Sequence, residues 1–61
     1  MALKAETDAP RVEIIEAIGE WFVRILEDGH EYISAFENEA FASSYSDGQR
    51  LRLGLEKVER S

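Results

Sequence analysis

The sequence predicts an α+β domain: a three-stranded antiparallel meander (βββ) with one C-terminal helix packed on one face. Three observations carry this. Residues 21–36, WFVRILEDGHEYISAF, place two aromatic and β-branched runs around Asp28-Gly29. Residues 11–18, RVEIIEAI, hold Val12, Ile14, Ile15 and Ile18, side chains that suit a pleated sheet. From Asn38 onward the apolar residues recur at helical rather than alternating spacing.

The hairpin is the strongest local signal. An Asp-Gly pair favours a type I′ turn, whose two central residues both need positive φ. That turn sets the register. Glu27 faces His30, Ile25 faces Tyr32, Val23 faces Ser34 and Trp21 faces Phe36. These residues share one sheet face, while Phe22, Arg24 and Leu26 share the other with Glu31, Ile33 and Ala35.

An all-α helical hairpin competes with this reading. Ile14, Ile18, Trp21 and Ile25 fall at 4-3-4 spacing, which suits a helix from Pro10 to Asp28 with Gly29 just beyond its end. The strands are preferred because residues 21–26 are apolar nearly all round. A helix would also enclose Gly19 and leave the Asp-Gly turn unused. Residues 11–18 are then a first strand leading through Gly19 into the hairpin, a short helix being the alternative there.

For the C-terminal helix, Asn38 is the expected N-cap and Glu39 sets an acid in the first turn. Phe41, Tyr45, Gly48 and Leu51 or Arg52 make the expected inner face, with Leu55 following if the helix continues. Gly54 is the expected stop. Gly48 on the inner face implies close approach of helix to sheet, the alternative being a break at Asp47-Gly48. The chain thus divides into a flexible arm over 1–10, a βββα domain over 11–55 and a frayed tail over 56–61.

At 61 residues, such a chain buries only about 60% of the surface its unfolded form exposes. Small domains usually add disulfides, a metal or a partner subunit. With no cysteine, disulfides and the common structural zinc sites are excluded, which leaves self-association. The faces of the sheet point the same way. Trp21, Val23, Ile25, Tyr32 and Phe36 should take the helix. Phe22, Leu26 and Ile33, joined by an isoleucine of the first strand, then form a second apolar face, too large a patch for a monomer to expose. A homodimer through Phe22, Leu26 and Ile33 is expected. Another protein partner, or the arm or tail folded over the face, are the alternatives.

The net charge of −6 is uneven. Residues 1–39 carry ten acids against Lys4, Arg11 and Arg24. An acidic body repels phosphate, so nucleic acid and anionic membranes are disfavoured as partners. No apolar run approaches the roughly 20 residues that span a bilayer, and no signal peptide is visible. A soluble cytoplasmic protein is expected. Gln49, Arg50 and Arg52 form the single basic cluster, a possible contact for a carboxylate or phosphate partner against the plainer reading of helix-end solvation. It supports the alternative function, a nucleic-acid-associated regulator.

Catalysis finds little support. His30, the only histidine, sits on the hairpin turn beside Glu27, Asp28 and Glu31, where a solvated Glu27–His30 pair explains it better than a metal site or general base. Ser43, Ser44 and Ser46 lack a base and an orienting group. No phosphate-binding, dinucleotide-binding or nucleophile-elbow motif occurs. Trp21, Phe22, Tyr32 and Phe36 could stack bases, but core packing explains them without the positive charge that such a platform needs. No catalytic residue, cofactor or metal is expected. The function expected is a non-enzymatic protein-interaction module.

Overall fold

Asp28 and Gly29 both adopt positive φ, 53° and 78°, so the chain reverses where the sequence places the turn. A computed structural model describes residues 9–60. The strands β1 (Arg11–Ala17), β2 (Glu20–Glu27) and β3 (His30–Phe36) form the meander. The helix α1 (Glu39–Leu53) follows, and then a two-residue strand β4 (Glu59–Arg60). The sheet order is β3-β2-β1-β4. The β2–β3 register pairs Glu27 with His30, Ile25 with Tyr32, Val23 with Ser34 and Trp21 with Phe36. The expected fold class and this hairpin therefore hold, and the helical hairpin does not form. The expected arm lies outside the described residues except for Ala9 and Pro10, which are exposed.

A second tight turn sets β1. Ile18 and Gly19 take φ of 53° and 76°, so Ala17 pairs with Glu20 and Ile15 with Phe22. Ile18 is thus a turn residue rather than part of the first strand, and it is 98% exposed. A β-branched side chain seldom accepts this backbone, because its Cβ substituents crowd the carbonyl.

The helix begins as expected. The Asn38 side-chain oxygen accepts the Phe41 N–H at 3.0 Å, satisfying one of the free donors of the first turn. It ends at Gly54, with φ of 72°. The Leu55 N–H donates to the Arg50 carbonyl and the Gly54 N–H to the Leu51 carbonyl, both bonds of a Schellman motif. No break occurs at Asp47-Gly48.

The inner face of α1 differs from the expected one. Ala42 and Ser46 are buried, with Tyr45 and Leu53 beside them, while Phe41 and Leu51 are 58% and 64% exposed. Gly48 is exposed too, and a Cβ there would meet nothing within 4 Å. Small side chains do bring the helix close to the sheet, but they are Ala42 and Ser46. Burying Ser46 is tolerable because its hydroxyl donates to the Ser43 carbonyl at 3.0 Å.

The core comprises Val12, Ile14, Val23, Ile25 and Ala42, bordered by Trp21, Phe36, Tyr45, Leu53, Leu55 and Val58. The Phe36 and Tyr45 rings lie 5.2 Å apart. The C-terminal segment, expected to fray from Glu56, instead returns to the sheet. Val58 packs on the core and β4 runs parallel to β1, pairing Glu59 with Glu13 and Arg60 with Ile14. Arg60 also bonds Glu39 at 3.2 Å, tying this tail to the start of the helix.

Candidate functional site

All of α1 lies on one side of the sheet. The pairing therefore lays out the opposite face as three cross-strand rows: Arg11–Leu26–Glu31, Glu13–Arg24–Ile33 and Ile15–Phe22–Ala35. The expected contact residues surround Arg24. Phe22 and Leu26 flank it along β2, both half-buried, and Ile33 lies across from it, 61% exposed. Ile15 is the isoleucine that β1 adds.

The face is not uniformly apolar, however. Arg24 donates from Nε and Nη2 to one oxygen of Glu13, at 2.9 and 2.6 Å. Its Nη1 reaches Glu31 at 3.3 Å. The other Glu13 oxygen meets Arg11 Nε at 3.0 Å. Four charges of alternating sign thus run across the face in the order Arg11, Glu13, Arg24, Glu31. Glu13 is sheltered among them, its side chain 11% exposed. Its hydrogen bond, and then its charge, raise the Arg24 guanidinium above the ordinary arginine value, with Glu31 adding to the effect. Sequence reasoning placed Arg24 on this face but missed Glu13, the residue that neutralises it. Both stand near the middle of their strands, RVEIIEA and EWFVRILE, in a register that only the Ile18-Gly19 turn fixes.

The edges of the sheet differ. β4 covers part of β1, whereas no strand among the described residues lies beyond β3. Tyr32 and Ile33 of β3 are both exposed, on opposite faces. An open cleft of about 570 Å³ runs between β3 and the helix, its walls including Ile25, Tyr32, Ser34, Tyr45, Gln49 and Arg52.

The structure disperses the basic cluster. Arg50 turns back to Asp47 at 3.0 Å and to the Leu55 carbonyl at 3.1 Å, acting within its own helix end. Arg52 holds Glu27 through two bonds, Nη2 to Oε1 at 2.9 Å and Nη1 to Oε2 at 3.2 Å, and its Nε meets Gln49 at 2.8 Å. This bond lowers the Glu27 carboxyl below its ordinary value and raises Arg52. Glu27 therefore pairs with Arg52 across the helix–sheet gap, not with His30. His30 is exposed at the turn, its ring 6.4 Å from that of Tyr32. Among the described residues no three His, Asp or Glu side chains gather into a metal-ligating group, and no helix is long and apolar enough to cross a membrane. Comparison with protein-family models, with curated proteins and with solved structures returned no match.

Proposed function

We propose that this chain is a small, non-enzymatic protein-interaction module that self-associates through the open face of its sheet. One observation supports the reading above all. The helix covers one face, while Ile15, Phe22, Leu26 and Ile33 remain on the other around a charge set that is already balanced. Balanced charges lower the desolvation penalty of closing that face against another, and the apolar residues gain from closure. A closed two-fold pair is the commonest way to bury such a patch. A cytoplasmic setting belongs to the same reading and rests on the sequence.

Sedimentation equilibrium tests this. A dimer mass, with a melting temperature that rises with protein concentration, is the expected result. A monomer whose melting is independent of concentration overturns it.

The nucleic-acid reading has less support. Arg50 and Arg52 are each engaged by an internal acid, so a phosphate must compete for them. A labelled duplex titrated against salt separates the readings, since phosphate contacts give a steep fall of log affinity with log salt.

A further inference from the structure

We infer that two copies of this chain pack open face to open face about a two-fold axis parallel to β2, so that Arg11 of each copy meets Glu31 of the other. The inference rests on self-association and goes further, by specifying how the copies are oriented.

The order of side chains on the face selects the axis. A two-fold axis along β2 keeps each cross-strand row at its own level and exchanges β1 with β3. The row Arg11–Leu26–Glu31 then lies on its own reverse, so Arg11 faces Glu31, Leu26 faces Leu26 and Glu31 faces Arg11. In the row Ile15–Phe22–Ala35, large meets small at the sides and Phe22 meets Phe22 on the axis. In the middle row Glu13 lies over Ile33 of the other copy and the two Arg24 groups approach, each charge already held by a partner of its own chain.

The other in-plane axis, across the strands through Arg24, does worse. It lays Arg11 over Ile15 and Glu31 over Ala35, so neither end charge meets an opposite charge of the second copy, and it sets Glu13 over Glu13. Aligned packing rotates stacked sheets by about 30°, a displacement that arginine and glutamate side chains can span at this distance from the axis.

The charge chain makes the fit specific. Within one chain the sequence of contacts is Arg11–Glu13–Arg24–Glu31, with both end residues about half exposed and facing outward. Joining Arg11 to Glu31 of the second copy at both ends closes a ring of eight charges that alternate in sign. Such a ring contributes orientation more than affinity, which comes from the apolar residues, Leu26 within it and Ile15, Phe22 and Ile33 beside it.

Arg11 and Glu31 lie on strands separated by β2, about 10 Å apart, beyond direct contact within one chain. Charge reversal also disturbs Arg11–Glu13 or Arg24–Glu31 within the chain, but that cost is the same in homodimer and heterodimer, so mixing the two variants isolates the contact between copies. Arg11→Glu and Glu31→Arg should each weaken homodimerisation about tenfold, because each creates two like-charge encounters. Mixed in equal amounts, they should recombine into heterodimer well above the statistical half, as read by native mass spectrometry. The exposed pair Glu56→Lys and Lys57→Glu, away from the face, should mix statistically. Wild-type dimers combined with statistical mixing of the 11 and 31 variants overturn the axis and leave self-association standing. A wild-type monomer overturns self-association and the axis together. If either reversal variant does not fold, Leu26→Cys with a short bismaleimide reads the same geometry. Position 26 meets itself across this axis, so covalent dimer should form, and none forming overturns the proposal.

Discussion

Arg24 and Glu13 are locked in a two-donor contact, Nε and Nη2 of the arginine converging on one carboxylate oxygen at 2.9 and 2.6 Å. Glu31 meets the same guanidinium through one longer bond at 3.3 Å. Truncating the two acids should therefore have unequal effects. Within the chain, and so at concentrations low enough to keep it monomeric, Glu13→Ala strips Arg24 of its main partner and Arg11 of its own, whereas Glu31→Ala removes one weak exposed bond. Urea titration should show Glu13→Ala lowering the unfolding midpoint clearly, with Glu31→Ala close to wild type. Equal midpoints would show that the short contact does not hold the sheet.

Ile18 offers a stabilising change. It is fully exposed, makes no core contribution and sits at a positive φ that favours Asn, Asp or Gly. Ile18→Asn should stabilise the chain by about 1 kcal/mol, raising the melting temperature by roughly 4–8 °C at this size. A fall instead would mean that the Ile18 side chain is buried against something in solution, as in an assembly that closes over this turn.

Gly48 distinguishes two accounts of the helix. Were it the point of close approach, a methyl group there would push helix and sheet apart. It faces outward with nothing within 4 Å of a Cβ, so Gly48→Ala should stabilise by about 1 kcal/mol through helix propensity. Ala42→Leu, on the buried face, should destabilise by about 1–3 kcal/mol through overpacking. Reversed signs in thermal melts would restore the spacing-based inner face.

These positions show what the sequence could reveal. Asp28-Gly29 announced its turn because both residues tolerate positive φ, and the β2–β3 register and the helix-facing residues followed from it. Asn38 and Gly54 were legible because capping is local chemistry. Ile18-Gly19 was not, since isoleucine gives no turn signal, and so the β1 register and the Glu13–Arg24 pair stayed hidden. On the helix, spacing favoured Phe41 and Leu51 for the inside. The actual inner face uses Ala42 and Ser46, because a sheet already filled by Val12, Val23 and Ile25 leaves room only for small groups. The open face was anticipated at Phe22, Leu26 and Ile33, though without the balanced charges at its centre. The return of Glu59–Arg60 to β1 is a non-local pairing with no local pattern to mark it.

Acid should weaken the helix–sheet junction in a way traceable to Glu27. The hydrogen bond from Arg52 holds its carboxyl below the ordinary 4.5, outweighing the opposing effect of desolvation. With the folded value below the unfolded one, the bridge stabilises above the ordinary carboxylate range, and this contribution is lost as pH falls through the depressed value. Arg52→Gln should be less stable than wild type at neutral pH and converge with it only as pH falls through the depressed Glu27 value. The difference should also shrink in high salt, because both groups are solvent-accessible. A stability gap that persists unchanged into acid would assign the effect of Arg52 to its packing rather than its charge.

Two apolar side chains separate association from general surface hydrophobicity. Leu26 is half-buried on the open face, and the proposed axis places it against its own copy. Phe41 is 58% exposed on the helix, on the opposite side of the sheet. Both lie outside the group of buried core residues, so glutamate at either position leaves that core intact. Leu26→Glu sets two carboxylates face to face in the closed pair and should abolish it, leaving a weakly stable monomer whose melting no longer depends on concentration. Phe41→Glu should keep the wild-type mass in sedimentation and the wild-type dependence of melting on concentration. If both variants lose the dimer, association follows total exposed apolar area; if only Phe41→Glu loses it, the helix and not the sheet carries the interface.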